Sequence, residues 1–426
     1  MKQTAERVRG GAVDLLAAVL DRGQIIGEHA LSDLPGPRRA EARSIADMAL
    51  RRLGEIDAVL SRFVDRMPPP PACHILRVMA AEIMHMARAP HAAVNGAVTL
   101  ARADPRARRI AGLVNAVGRR LQGAAEPKRP AAINTPDWLA DALREDWGQK
   151  TADAMMRAHR DLPSHDLTLK HEADGEPLAA EIGATLLPSG TLRLPGRPQI
   201  STLPGFDHGS WWVQDAAAAL PARLLEGGPG ALKDKRVLDL CAAPGGKTMQ
   251  LAAMGAQVTA LDANETRMER LSENLARTKL SAEIIVADAR DWQPETPFYA
   301  ILLDAPCSAT GTMRRHPDLA WRLQPDTIGA LIELQESLLA RAWGWLAPGG
   351  TLVYATCSLL RAEGEEQIES FLAAMPGAAR RPLDTADPIL PPDAVTPEGD
   401  LRTTPAMLPE IGGIDGFFAA RLTHAS

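Results

Sequence analysis

Val237-Leu-Asp-Leu-Cys-Ala-Ala-Pro-Gly-Gly-Lys-Thr248 is the stretch that decides the fold. An apolar strand runs into a turn with two glycines and then into a helix that starts near Lys247. Glycine lets the backbone approach a ligand closely, and a helix N-terminus presents free N–H groups to it. Two nucleotide loops use this geometry, and neither fits. A phosphate-binding GxxxxGK[ST] loop needs glycine five residues before Gly246, where Cys241 stands. The dinucleotide spacing GxGxxG is also absent. What remains is the adenosyl-ligand variant of a doubly wound α/β fold, which binds at the C-terminal ends of its strands.

Outward from this loop, apolar runs at 236–240, 257–261, 283–287, 299–303 and 351–355 alternate with helical segments such as 265–278 and 326–345. Buried strands alternating with helices predict βαβ units and a mostly parallel sheet. Asp262 ends the second run, where a carboxylate can accept from both ribose hydroxyls. Asp288 ends the third, where it can receive an adenine amino proton. The fourth run leads into Leu303-Asp-Ala-Pro-Cys-Ser-Ala-Thr-Gly-Thr312 and the fifth into Tyr354-Ala-Thr-Cys-Ser358. Parallel strands bring both ends to one edge, so Cys307 and Cys357 are expected close together. A lone cysteine is most often a packing residue. Two on adjacent ligand-edge loops, one after an Asp-Ala-Pro turn, point to chemistry.

The rest of the chain sets bounds. No apolar run approaches the roughly 18 residues that span a bilayer, and 1–8 lacks the apolar core of a signal peptide, so a cytoplasmic protein is expected. The four cysteines, Cys73, Cys241, Cys307 and Cys357, are too widely spaced for a zinc knuckle, and no metal is expected. No serine sits in GxSxG, which disfavours a hydrolase. The net charge of −6 hides an asymmetry. Residues 1–129 hold 21 Lys+Arg against 13 Asp+Glu, a net of +8, so the remainder carries −14. A basic first part on an acidic body predicts nucleic-acid contact through Arg-rich helices, with Arg108, Arg109, Arg119 and Arg120 as candidates. Aromatics are only 4%, so stacking platforms for single strands cannot be numerous.

The organisation expected is a helical domain over 1–125, a linker over 126–136, a small α+β connecting subdomain over 137–205, and an α/β domain over 206–426. Helical periodicity shows in Val13, Leu16, Ala17 and Leu20, and again in Ile75, Val78, Met79 and Ile83. Nothing demands more than a monomer.

The blocks 239–248, Asp304-Ala-Pro-Cys-Ser308 and Tyr354-Ala-Thr-Cys-Ser358 together resemble the NOL1/NOP2/Sun family of RNA cytosine-C5 methyltransferases, over about 210–426. Gln214-Asp215, Gln335 and Pro348-Gly-Gly350 fall where that family has similar residues. His91-Ala-Ala-Val-Asn-Gly-Ala-Val98 and Ala111-Gly-Leu-Val-Asn-Ala-Val-Gly-Arg-Arg120 resemble the NusB-like RNA-binding domain that precedes the catalytic part in the bacterial Sun/Fmu branch. The resemblance implies an all-α NusB-like domain, a connecting subdomain and a Rossmann-like domain dependent on S-adenosylmethionine (SAM), acting on small-subunit (16S) rRNA. It implies Cys357 as nucleophile and Cys307 as the thiol assisting product release, although DNA cytosine methyltransferases use the cysteine of the Pro-Cys motif to attack. Asp304 would contact the cytosine ring beside SAM. Cys241, Ala242, Ala243, Pro244, Gly245, Gly246 and Lys247, with Asp262 and Asp288, would bind SAM. Lys247, Arg314 or Arg315 would favour a thiolate.

Such residues suit the reaction. Cytosine C5 is a poor nucleophile toward a sulfonium methyl group until a thiolate adds to C6 and makes C5 enamine-like. The alternatives are a tRNA cytosine-C5 methyltransferase and a non-catalytic RNA-binding or ribosome assembly factor, which would predict eroded catalytic positions. There are departures from the family. Leu167-Thr-Leu-Lys170 replaces a common Leu-Arg-Val-Asn, Gly364 stands where Asn is common, and an aromatic usual around 82–86 is missing.

Overall fold

The computed structural model describes residues 2–26, 31, 34–123, 130–226 and 230–424; residues 126–129 of the expected linker lie outside these. The chain divides into two compact units. One comprises Met1–Asp161 with Met313–Gln324, and the other Leu162–Thr312 with Pro325–Ser426.

The first unit is helical: α1 (Lys2–Arg22), α2 (Gly36–Arg51), α3 (Leu53–Leu60), α4 (Ala72–Met84), α5 (Pro90–Ala103), α6 (Ala111–Leu121) and α7 (Asp137–Ala158). Proline marks four of the starts, Pro136 before α7 among them, because its fixed φ suits the first turn and its missing N–H has no intrahelical partner there. Pro35 and Pro71 precede α2 and α4, and Pro90 opens α5. The apolar stripes meet in one core that includes Leu16, Ile45, Leu50, Ile56, Leu76 and Met79. Glu82 is buried against it and takes a two-pronged bond from Arg9, at 2.7 and 2.9 Å. Gly148, at φ +72°, breaks α7 into two helical pieces.

The expected boundaries at 136/137 and 205/206 put α7 with the connecting subdomain and Met313–Gln324 with the α/β domain; here both lie in the helical unit. The buried Arg51 guanidinium joins them. It donates to the carbonyls of His159 (2.8 Å), Asp161 (3.2 Å) and Arg314 (2.7 Å). The indole N–H of Trp321 donates to the Leu50 carbonyl at 2.9 Å, at the end of α2.

The second unit begins with a small antiparallel sheet of β1 (Asp166–Leu169), β2 (Thr185–Leu186), β3 (Leu192–Arg193) and β4 (Trp211–Val213), ordered β2-β3-β1-β4. It then builds a larger sheet from β5 (Arg236–Leu240), β6 (Gln257–Asp262), β7 (Glu283–Val286), β8 (Phe298–Asp304), β9 (Leu346–Thr356), β10 (Ala378–Arg380), β11 (Leu401–Thr403) and β12 (Phe417–His424). The order is β7-β6-β5-β8-β9-β12-β10, with β11 also on β12. Strands β5 to β9 are parallel, as the alternating pattern predicts, and β10 to β12 add an antiparallel flank.

Both faces of the sheet are covered, so its strands read as continuous apolar runs. Leu238, Leu240, Ile301 and Leu303 pack on one face, and Val237, Ala300, Leu302 and Val353 on the other. Chain order reverses at β5, where β6 lies on one side and β8 on the other. A crevice opens beyond the carboxyl ends at such a point. Register places those ends side by side: Leu240 is level with both Leu261 and Leu303, and Asp304 with Ala355.

Candidate active site

Past Leu240 the chain turns sharply. Cys241 takes φ +64°, and its N–H donates to the Leu261 carbonyl at 2.8 Å, tying the loop to the end of β6. Gly245 has φ +101°, and a Cβ there would lie 2.8 Å from Leu271, so conformation and space both require glycine. The helix Gly246–Ala253 begins at once. Its second residue, Lys247, points back along the sheet edge and places Nζ 2.7 Å from Oδ2 of Asp304. The ammonium also stands 5.1 Å from the Phe417 ring centroid. Asp304 keeps 30% of its side chain accessible, so this charge pair is open on one side.

Asp262 ends β6 as expected. Its two oxygens accept from the backbone N–H of Ala243 (3.2 Å) and of Asn264 (2.9 Å). Both retain a lone pair for a ligand hydroxyl. Asp288 lies two residues beyond the end of β7, half-buried, and is gripped by Arg290 at 2.6 Å. That hydrogen bond, reinforced by the Arg290 backbone N–H, holds its carboxyl down at about 2.

Cys307 and Cys357 are brought together, with Sγ atoms 3.5 Å apart. The hydrogen bond to Cys357, then burial, pushes the Cys307 thiol well above its ordinary range, so Cys307 holds its proton. Of the three cations proposed to favour a thiolate, Lys247 belongs to the unit that holds the cysteines, whereas Arg314 and Arg315 belong to the helical unit. Gly311 closes the loop after Cys307. Its N–H donates to the Cys357 carbonyl at 2.9 Å, and a Cβ there would strike the Gly416 carbonyl.

Sequence reasoning missed two features and left a third, the Gly364 departure, without its reason. Asp239 is fully buried under the glycine loop and accepts from the Thr248 hydroxyl at 2.6 Å; burial pushes its carboxyl up to about 7. Glu363 is buried behind the two cysteine loops, with Ser308 and Ser358 bonded to it. The signal for it was available: a serine follows each cysteine, and an acidic stretch follows the second. The third concerns Gly364, where family likeness expects Asn. A Cβ there would come 2.5 Å from Arg402 Nη2 and 2.9 Å from the Phe418 ring, so this chain's packing demands glycine. Lys170, which replaces the expected Asn of the connecting subdomain, donates to the Thr278 carbonyl at 2.7 Å.

The family described as 16S rRNA methyltransferase RsmB/F matches residues 231–423, and the NusB family matches residues 6–122. The chain is similar to ribosomal RNA small subunit methyltransferase B of Xanthomonas campestris pv. campestris, 37% identical over 396 residues that cover 88% of this chain and 90% of the relative. It is similar to the protein of the same name from Xylella fastidiosa strain Temecula1, 34% identical with 96% of each chain covered. The crystal structure of PH0851 shares the fold with a TM-score of 0.74 at 24% identity, covering 97% of this chain and 98% of that one. NSun6 from Pyrococcus horikoshii with SFG matches 68% of this chain and 98% of its own, at a TM-score of 0.57 and 20% identity. The likeness runs over nearly the full length of the chain and its relatives, and the chain belongs to the 16S rRNA methyltransferase RsmB/F family.

Proposed function

We propose that this protein methylates carbon 5 of a cytosine in small-subunit (16S) rRNA, with SAM as methyl donor, through a covalent bond between Cys357 and cytosine C6. The observation that carries this reading is the pair of thiols 3.5 Å apart at the carboxyl ends of β8 and β9. N- or O-methylation has no use for two thiols, since it needs no covalent adduct.

The glycine loop fits an adenosyl ligand. Gly245 gives the positive-φ turn that leads into the helix N-terminus, Asp262 retains acceptor capacity toward ribose, and Asp288 presents a half-buried carboxylate toward an adenine amino group. Residues 241–247 would hold the cofactor, which supplies the methyl group when bound. The remaining steps belong to the chain. Cys357 adds to C6 as thiolate, and the electron pair moved to C5 takes the methyl group, whose former bonding pair stays on the donor's sulfur as a neutral thioether. Asp304 faces the ring at N3, with Lys247 balancing its charge. Solvent water takes the C5 proton, the C5–H electron pair re-forms the C5–C6 double bond, and the C6–S bond breaks to release Cys357 as thiolate. Cys307, which keeps its proton, is placed beside Cys357 to assist that release. The thiol must approach from above the ring plane, so the target base must be unstacked.

The helical unit supplies the RNA grip. Arg108 and Arg109, in the short 3-10 turn just before α6, and Arg119 and Arg120, in its last turn, are all exposed. The testing experiment is methyl transfer from labelled SAM to total rRNA and tRNA by wild type, Cys357→Ala and Cys307→Ala. The expected result is 5-methylcytosine in small-subunit rRNA from wild type, none from Cys357→Ala, and a trapped protein–RNA adduct with Cys307→Ala. Transfer to tRNA instead would move the substrate. SAM binding without transfer to rRNA, tRNA or assembling particles would favour a binding factor.

A further inference from the structure

The carboxylate of Glu363 is fully buried and takes four hydrogen bonds. Its Oε1 accepts from the Ser308 backbone N–H at 2.9 Å and from the Gln335 amide at 3.0 Å. Its Oε2 accepts from the hydroxyls of Ser308 at 2.5 Å and Ser358 at 2.6 Å. These donors fill the four acceptor positions of a carboxylate, and all four are neutral. Ser308 follows Cys307 directly, and Ser358 follows Cys357. One side chain therefore fastens the residue after each thiol.

Glu363 is itself pinned. Its backbone carbonyl accepts from the Tyr354 hydroxyl at 2.9 Å and the Thr356 hydroxyl at 3.2 Å, both on β9. Gln335, which also donates to the Pro306 carbonyl at 2.8 Å, ties the same carboxylate to the turn before Cys307. A carboxylate stripped of water with only neutral donors is costly to bury, and replacing it by an apolar side chain would leave its donors unpartnered. Packing alone gives no reason for a charge in that place.

We infer that Glu363 is a positioning residue of the methyl-transfer reaction, its buried carboxylate setting the two thiol loops in register and directing the roles of Cys307 and Cys357. The inference rests on the covalent reading proposed above. The hydrogen bond to Cys357 and burial hold the Cys307 thiol protonated, and the Glu363 charge behind it acts in the same direction. The Tyr354 phenol and Cys357 are the other titratable groups facing it, and the Ala309 N–H opposes them weakly. Cys307 then stays a thiol beside Cys357, the nucleophile of the proposed reaction. Glu363 touches neither base nor cofactor and acts through the two serines.

The test compares full-length wild type with Glu363→Gln, Ser308→Ala and Ser358→Ala on unmodified small-subunit rRNA. It measures kcat, KM for SAM and for RNA, and the fraction of protein in a covalent RNA adduct on denaturing gels. An ångström of misplacement at reacting atoms costs on the order of 100-fold in rate. Glu363→Gln is expected to lower kcat by about that factor with both KM values within about threefold, since binding is untouched. Each serine variant is expected to lose about tenfold in kcat and to shift the adduct fraction, while keeping the SAM-induced rise in melting temperature. Wild-type kcat in Glu363→Gln would overturn the inference. So would a misfolded Glu363→Gln beside two serine variants with wild-type kcat and adduct. Equal methyl transfer by wild type and Cys357→Ala would instead overturn the covalent reading, and this inference with it.

Discussion

Lys247 Nζ lies 2.7 Å from Oδ2 of Asp304, joining the first turn of the helix after β5 to the last residue of β8. The two residues are 57 apart in sequence and meet because their parallel strands end level at the sheet edge. Lys247→Met keeps the stem and removes the charge, leaving Asp304 without its counter-ion at the base. It is expected to lower single-turnover methyl transfer by about 100-fold or more, within the range of a lost acid–base partner. Rapid-quench measurement with labelled SAM checks this. A variant within fivefold of wild type would remove Lys247 from the chemistry.

Asp239 predicts a pH dependence of stability. Its folded carboxyl titrates near 7, against about 4 in an unfolded chain, so between those values the folded state binds the extra proton. Stability from this group is therefore fully present below about pH 4 and is lost as pH rises toward 7. A displacement of that size corresponds to roughly 4 kcal/mol. Asp239→Asn cannot lose a proton, so its melting temperature relative to wild type should rise from pH 5 to pH 8. Parallel melting curves for the two proteins across that range would refute the assignment.

Gly364→Asn restores the residue that family likeness expects, yet it should destabilise this chain. Arg402 is held by Glu365 at 3.0 Å and by the Ser358 carbonyl at 2.6 Å, and Phe418 is in the core, so neither yields easily to a new Cβ. The expected loss is about 1–3 kcal/mol in urea unfolding, the range for overpacking a closed site. Unchanged stability would mean that Arg402 repacks.

Replacing Arg108, Arg109, Arg119 and Arg120 together by Ala should weaken RNA binding most at low salt. Each phosphate contact contributes about 0.7–0.9 to the slope of log affinity against log salt, so the slope should fall by up to about 3.6. Filter binding at several salt concentrations reads this directly. An unchanged slope would place the RNA elsewhere.

Much of the α/β unit was legible because its information is local. Strand β5 and the helix Glu265–Thr278 fall where periodicity places them, and the run expected at 257–261 extends only to Asp262. A buried parallel strand must be apolar throughout, and helices must carry a stripe, so both leave a pattern in the text. The antiparallel flank was not legible. Its strands β10 and β11 have three residues each, too short for alternation to show.

Sequence alone determined the reaction class, because the glycine turn and the two cysteines after successive strands are chemical necessities written as residue types. It also determined that those cysteines share an edge, since parallel strands have only one carboxyl end. Tertiary structure decided which buried groups serve them. Glu363 meets Ser308 from 55 positions away, Arg51 meets the Arg314 carbonyl from 263 positions away, and Met313–Gln324 leaves the α/β unit to join the helices. A hydrogen bond is satisfied by whatever donor the fold brings within about 3 Å, and spacing along the chain holds no record of that distance.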